Sequence, residues 1–139
     1  MATPLDQTIV AREQAYSDFD FSFRANPVTG GLGIKRDVEA VKQAILNILL
    51  TSPGERPFDP LFGCDIRSQL FENFDPIIEA ILDEQIRTSL RNYEPRVEVL
   101  GVTVDGQPDR NKVDITVEVE IQSPEVVATS VNVTVERLR

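Results

Sequence analysis

Between two helical patterns of the chain lies the stretch Gly54-Glu55-Arg56-Pro57-Phe58-Asp59-Pro60-Leu61-Phe62-Gly63-Cys64-Asp65. Its two prolines fix their own φ, lack an N–H donor and push the residues before them towards extended backbone. Its glycines permit backbone angles that other residues avoid. We therefore expect a loop of fixed shape, because each aromatic side chain can bury roughly 150–250 Å² against a core. The apolar side chains expected to pin it are Phe58, Leu61, Phe62, Leu70, Phe71 and Phe74.

The composition is typical of one soluble globular domain. The chain has 139 residues, of which 41% are hydrophobic and 27% are charged, enough for a single core. The formal net charge of -9 argues against nucleic acid as a partner, since phosphate contacts need clustered Lys and Arg. No apolar run is long enough for a membrane helix, and the start lacks a secretory signal. The single cysteine, Cys64, excludes an internal disulfide and favours a packing thiol in a reducing compartment.

The sequence contains no histidine, which excludes Ser-His-Asp and Cys-His catalysis and histidine metal sites. Any remaining chemistry must come from carboxylates, Lys or Tyr. We expect no catalytic residue, no metal, no cofactor and no small-molecule substrate.

The chain divides into an arm and one domain. Residues 1–15 are polar without a sustained period, so we expect an arm that is flexible or ordered by a partner. Residues 16–139 form the single domain. Within it, residues 16–24 alternate with Phe19, Phe21 and Phe23 on one face. This pattern predicts a strand that covers the core, and an aromatic stripe for binding a partner is the alternative.

Two helices precede a run of strands. Asp37 is the expected N-cap of the first helix, and Gln43 is among its outward residues. The second helix begins at Asp75-Pro76 and ends before Pro95.

The remainder is β structure. A bulge is expected at Leu100-Gly101 and a hairpin connection at Asp105-Gly106 and residues 108–111. The resulting fold class is α+β, with two main helices packed on one face of a small antiparallel sheet.

Two motifs carry a family resemblance. The run from Arg56 to Asp65, followed by Gln69-Leu70-Phe71-Glu72-Asn73, resembles the gene-25-like wedge subunit of contractile-tail phage baseplates. Asn92-Tyr93-Glu94-Pro95-Arg96 is the second family motif. The family includes a baseplate subunit of type VI secretion systems, which is an alternative identity, and it has historically carried a lysozyme label.

The resemblance implies two binding surfaces. Glu94, Pro95 and Arg96 are expected to contact the helical core bundle of the larger wedge subunits; taken alone, the triplet could be a helix stop with two solvated charges. The resemblance also implies that the fold is similar to the conserved tail-sheath domain. The segment that contains Val131, Val133 and Val135 is then expected to receive strands from the sheath protein. The alternative is that the charges of Glu136 and Arg137 prevent another chain from pairing with this edge strand.

The expected function is therefore structural. The resemblance implies a wedge subunit of the virion tail baseplate, synthesised in the host cytoplasm, which initiates the sheath. Its structural loop comprises Arg56, Pro57, Phe58, Asp59, Pro60, Phe62 and Gly63. The alternative from another class is a peptidoglycan hydrolase, which needs two carboxylates about 5–10 Å apart. The candidates for that pair are Glu55, Asp59, Asp65 and Glu72.

Overall fold

The computed structural model describes residues 16–69, 76–107, 112–122 and 127–136. Its elements are β1 (Ser17–Phe19), β2 (Ile34–Arg36), α1 (Asp37–Leu50), α2 (Ile66–Gln69), α3 (Pro76–Tyr93), β3 (Val97–Gln107), β4 (Lys112–Ile121) and β5 (Val127–Glu136). The predicted α+β class is confirmed. The predicted arm, residues 1–15, and the loop residues Leu70, Phe71 and Phe74 lie outside the described residues.

The main sheet is antiparallel with the strand order β3-β4-β5. The predicted alternation in β4 is confirmed, since Val113, Ile115, Val117, Val119 and Ile121 are all buried. The predicted bulge is also confirmed, because the register of β3 on β4 shifts between Val99 and Gly101.

The prediction of a turn at Asp105-Gly106 is wrong. These residues continue the ladder opposite Asp114 and Val113, because the cross-strand hydrogen bonds outweigh their preference for turns. The connection at residues 108–111 lies outside the described residues.

One hydrophobic core joins the two long helices to the sheet. It contains Val41, Ile45 and Leu49 from α1 together with Leu82, Ile86 and Leu90 from α3, all at most 1% exposed. Helix α3 contacts β3, and α1 contacts both α3 and β5. Full burial of one such side chain contributes about 1.5–3 kcal/mol to stability, so this cluster is the main source of the fold's stability. Pro76 begins α3 and Pro95 follows its end, as predicted.

The predicted strand over residues 16–24 is wrong beyond Phe19. Among the described residues, strand β1 pairs with β2 alone, and the side chains of Phe19, Phe21 and Phe23 are 60%, 50% and 66% exposed. The strand stops because the Asp20 carboxylate accepts a hydrogen bond from the backbone N–H of Ser22 at 3.0 Å. The backbone N–H of Phe23 also donates to the carbonyl of Asp20. This local turn competes with the extended backbone, so the aromatic residues do not cover the core.

Two side chains of α1 hold the β1–β2 hairpin. Gln43, predicted to face outward, is buried; its amide donates to the carbonyl of Phe19 at 2.6 Å and accepts from the N–H of Phe21 at 3.3 Å. The predicted N-cap is also wrong, since α1 begins at Asp37 and Arg36 is the cap residue. The Asp37 carboxylate instead accepts from the N–H of Tyr16 at 3.3 Å. Both side chains thus form hydrogen bonds with the backbone of the neighbouring hairpin.

Candidate partner-binding surfaces

The structural loop between α1 and α2 is ordered by a stack of three side chains. The guanidinium of Arg56 lies 3.5 Å from the centre of the Phe62 ring. That ring packs against Tyr93 at the C-terminal end of α3, with 4.9 Å between ring centres. The carboxylate of Glu55 accepts from the N–H of Ser52 at 3.0 Å. The contact between Phe62 and Tyr93 attaches the base of the loop to α3, and the Glu55 contact closes the loop on itself.

Gly63 closes the loop against the end of α1. Its φ is +114°, and a Cβ placed there would lie 2.2 Å from the carbonyl oxygen of Thr51. That carbonyl accepts from the N–H of Cys64 at 2.9 Å, and the hydroxyl of Ser89 donates to the Gly63 carbonyl at 2.9 Å. The close approach of the two backbones requires glycine at this position.

The tip of the loop does not pack on the core. Phe62 is half-buried as expected, but Phe58 is fully exposed at 102% and Leu61 is 78% exposed. Successive turns cause this, since Asp59 N–H donates to the carbonyl of Arg56 and Phe62 N–H donates to that of Asp59. The expectation that Phe58 and Leu61 pin the loop is therefore wrong. The loop is pinned at its base, and its tip projects into solvent.

Cys64 is buried, 3% exposed, beneath this loop. Burial raises the pKa of its thiol to about 11, because the charged thiolate is disfavoured away from water. The prediction of a packing thiol is confirmed.

The Glu94-Pro95-Arg96 corner joins α3 to β3. The Arg96 guanidinium donates two hydrogen bonds to the Glu94 carboxylate, from Nε to Oε1 and from a terminal nitrogen to Oε2, both at 2.5 Å. The side chain of Glu94 is 4% exposed and that of Arg96 is 32% exposed. Hydrogen bonding to Glu94 raises the pKa of Arg96. The alternative of two solvated charges is wrong, because the charges pair with each other and one is buried.

The corner is braced from two sides. The carbonyl of Arg96 accepts from the N–H of Gln122 at 2.8 Å, beyond the end of β4. The Arg96 guanidinium lies 5.1 Å from the ring centre of Tyr16, whose hydroxyl donates to the Gln122 carbonyl at 2.5 Å. The ring of Pro95 is exposed. The parts of the triplet available to a partner are thus the Pro95 ring and about a third of the Arg96 side chain.

A groove of about 380 Å³ adjoins the corner. Its lining consists of Arg87, Arg91, Pro95, Val97, Glu98, Val99 and Gln122. Arg87 is neutralised by Asp83 at 3.0 Å. Sequence reasoning missed this groove, since its walls come from α3, β3 and the residue after β4, which only the fold brings together.

Strand β5 lies at an edge of the main sheet. It pairs with β4 in unbroken register over ten residue pairs, from Val127↔Ile121 to Glu136↔Lys112. The side chains of Val131, Val133 and Val135 are buried in the core, with 4%, 4% and 8% exposure. A partner at this edge would therefore meet the backbone of the strand and not these three side chains.

Two of the carboxylates considered for hydrolysis, Glu55 and Asp59, are not enclosed. Glu55 accepts from the Ser52 N–H and lies 3.8 Å from Arg67, and both Glu55 and Asp59 are exposed. A glycosidase acid normally lies in a pocket poor in water. Asp65 is half-buried, and Glu72 lies outside the described residues.

In the part of the chain that the structure describes, no helix is long and apolar enough to span a membrane. The same residues contain no group of three or more side chains suited to bind a metal ion.

The chain is similar in sequence to known baseplate proteins. The family model for the baseplate wedge protein gp25 matches residues 35–125. The baseplate wedge protein gp25 of Enterobacteria phage T4 is 39% identical over 110 residues, and the match covers 77% of each chain.

Solved structures with the same fold are more distant in sequence. A chain of the anti-feeding prophage baseplate is 23% identical with a TM-score of 0.61, covering 84% of this chain and 83% of that chain. A protein of Geobacter sulfurreducens, provisionally described as a tail lysozyme, is 24% identical with a TM-score of 0.58. That match covers 70% of this chain and 89% of that chain. At such identities the likeness shows the fold alone.

Proposed function

The chain belongs to the baseplate wedge protein gp25 family, and from this membership we propose that it is a structural subunit of a contractile phage tail baseplate. The observation that carries the proposal is the 39% identity to the phage T4 wedge protein over 77% of both chains. Because that relative is a phage protein, it favours the phage tail over the secretion-system alternative. The subunit acts in the virion and assembles with other baseplate subunits.

The corner formed by Glu94, Pro95 and Arg96 docks on the larger wedge subunits. The Glu94–Arg96 pair fixes the guanidinium before a partner arrives, so little side-chain freedom is lost on binding. A third of the Arg96 side chain remains exposed, which suits hydrogen bonds to carbonyl or carboxylate groups at the ends of helices. The net charge of -9 favours a partner whose facing surface is basic.

Strand β5 receives strands of the sheath protein. Its sequence from Val127 to Val135 carries no charge, whereas exposed edges are usually blunted by Lys, Pro or a bulge. The other edge strand, β3, is interrupted by the bulge after Val99. Backbone pairing at β5 would add several hydrogen bonds of about 0.5–1.5 kcal/mol each. The two-helix layer on this sheet would then correspond to the conserved tail-sheath domain.

The function requires no chemical step. The exposed loop carboxylates give no support to a hydrolase, and the fold shared with the Geobacter sulfurreducens protein carries no activity by itself.

Co-purification with the larger wedge subunits tests the docking corner. We expect Pro95→Asp to weaken the complex, because it replaces the exposed ring with a charge while leaving the Glu94–Arg96 pair in place. The matched control is Pro53→Asp, which alters an exposed proline on another loop. Equal binding by the two variants would remove the corner from the interface.

Sheath assembly on wedge complexes tests the β5 edge. Consecutive strand residues direct their N–H groups to opposite sides. Of the two variants Asn132→Pro and Val133→Pro, one therefore loses an N–H that points outward from the sheet, and the other loses an N–H that bonds to β4. We expect the variant that keeps its fold to lose sheath initiation. A folded variant that still initiates sheath would contradict strand addition at this edge.

A further inference from the structure

The tip of the structural loop carries two apolar side chains that nothing in the described chain covers. Phe58 is 102% exposed and Leu61 is 78% exposed. An exposed aromatic projecting from a fixed frame is a common anchor of protein interfaces. Neither residue belongs to the hydrophobic core of the described chain or packs against it.

The tip is held in one shape by the chain around it. The N–H of Gly54 donates to the carbonyl of Pro60 at 2.8 Å, which closes the loop across the tip. Pro57 and Pro60 have fixed φ angles, and Arg56 is stacked on Phe62 at the base. Binding at a tip already ordered in this way costs little conformational entropy.

The size of the tip makes it one part of a larger interface, and the charge of the chain argues against a second copy as the occupant. One aromatic side chain buries roughly 150–250 Å², whereas a stable interface buries about 800 Å² on each partner. Two copies would also bring together surfaces of the same sign, since each chain carries a net charge of -9. The tip is therefore an anchor within a larger interface with a different protein.

The charge of Asp59 at the tip indicates which residues should surround the pocket on the partner. Asp59 lies between the two apolar residues and is exposed. Its carboxylate has no ion pair in the described chain, unlike Glu55 with Arg67 and Asp83 with Arg87. A partner that buries Phe58 must also face this carboxylate, which favours Lys or Arg beside the pocket.

The position of the loop points to the same partner as the corner. The base of the loop packs on Tyr93 through Phe62, and Glu94 is the next residue of the chain. We propose that Phe58 and Leu61 insert into an apolar pocket, rimmed by a basic residue, on a larger wedge subunit of the baseplate. This inference rests on the proposed function and adds a second contact to the corner.

The test uses the purified larger wedge subunits of the same tail and measures their affinity for the full chain. We expect Phe58→Ser to weaken binding by about 30-fold or more, the loss typical of a buried anchor. The matched control is Val28→Ser, which removes an apolar side chain that is 89% exposed between β1 and β2. Asp59→Lys should also weaken binding and reverse its dependence on salt. Phe58→Ser and Val28→Ser should both unfold at the temperature of the wild type, since both side chains are exposed.

The outcomes separate the inference from the proposed function. Wild-type binding that Phe58→Ser leaves within about threefold would overturn the inference while the baseplate role stands. Absence of wild-type binding would overturn the baseplate role and the partner assignment together. A dimer of the chain alone that Phe58→Ser dissociates would overturn the inference in favour of a second copy.

Discussion

The carboxylate of Glu94 holds the guanidinium of Arg96 in a bidentate ion pair across Pro95, with both N···O distances at 2.5 Å. The pair neutralises a carboxylate that is otherwise buried at the junction of α3 and β3. Arg96 therefore has a structural role in addition to the docking role proposed for it. When an Arg96 variant loses binding, its stability must also be measured, because unfolding alone would abolish binding.

Arg96→Ala should destabilise the fold, because it leaves the Glu94 carboxylate buried without its cation. Breaking a fully buried pair costs about 3–5 kcal/mol, and the partial exposure of Arg96 reduces the expected loss to about 1–3 kcal/mol. Urea unfolding followed by circular dichroism measures it. Adding Glu94→Gln to Arg96→Ala should recover part of the loss, because no charge then stays buried. A double variant less stable than Arg96→Ala would contradict this account of the pair.

Gly63→Ala should lower the free energy of unfolding by about 2–4 kcal/mol. The new Cβ would clash with the Thr51 carbonyl, and alanine would be strained at the positive φ of this position. Gly54→Ala is the matched control. Its φ is also positive, at +88°, but no atom lies within 4 Å of the added Cβ. It should cost about 1 kcal/mol. Similar losses in the two variants would show that the close approach at Gly63 is unimportant.

Cys64 should be nearly inert to thiol reagents in the folded chain. Burial raises its pKa from 9.0 to about 11, which lowers the thiolate fraction at neutral pH by about a hundredfold. Because the folded pKa is above the unfolded one, the associated stability is present below pH 9.0 and is lost as the pH rises towards 11. Labelling by a coloured disulfide reagent, with and without denaturant, checks the first point. Equal labelling rates for the folded and the denatured chain would contradict burial of the thiol.

Asp114 should make the stability of the β4–β5 pair depend on pH in the acidic range. Hydrogen bonds from Lys112 and then Thr134 lower the pKa of Asp114 below 3.8. Because the folded pKa is the lower one, the stabilisation is present above pH 3.8 and is lost as the pH falls through the folded value. Asp114→Asn should therefore be less stable than the wild type at neutral pH. The difference should shrink below pH 3.8, and a difference independent of pH would contradict the assignment.

Features fixed by the local backbone could be predicted from the sequence. Pro76 and Pro95 mark the limits of α3 because proline is favoured in the first turn and opposes continuation of a helix. The alternation in β4 predicts its buried face because strand side chains point to opposite sides in turn.

Features that depend on where a segment lies in space could not be predicted. Phe58 has the same apolar character as Phe62, but only Phe62 meets Tyr93. Gln43 has the polarity of an outward residue, but the backbone of the hairpin satisfies its amide in the interior. The pairing of Glu94 with Arg96 depends on the turn between α3 and β3, in which the N–H of Val97 donates to the Glu94 carbonyl, and sequence spacing contains no information on that geometry.

Electron cryo-microscopy of the assembled tail baseplate would show where the chain lies and what it contacts. We expect the chain between the larger wedge subunits and the first sheath ring, with the Glu94–Arg96 corner on the wedge and a sheath strand paired to β5. A baseplate in which the chain is absent, or in which neither surface contacts another subunit, would contradict it.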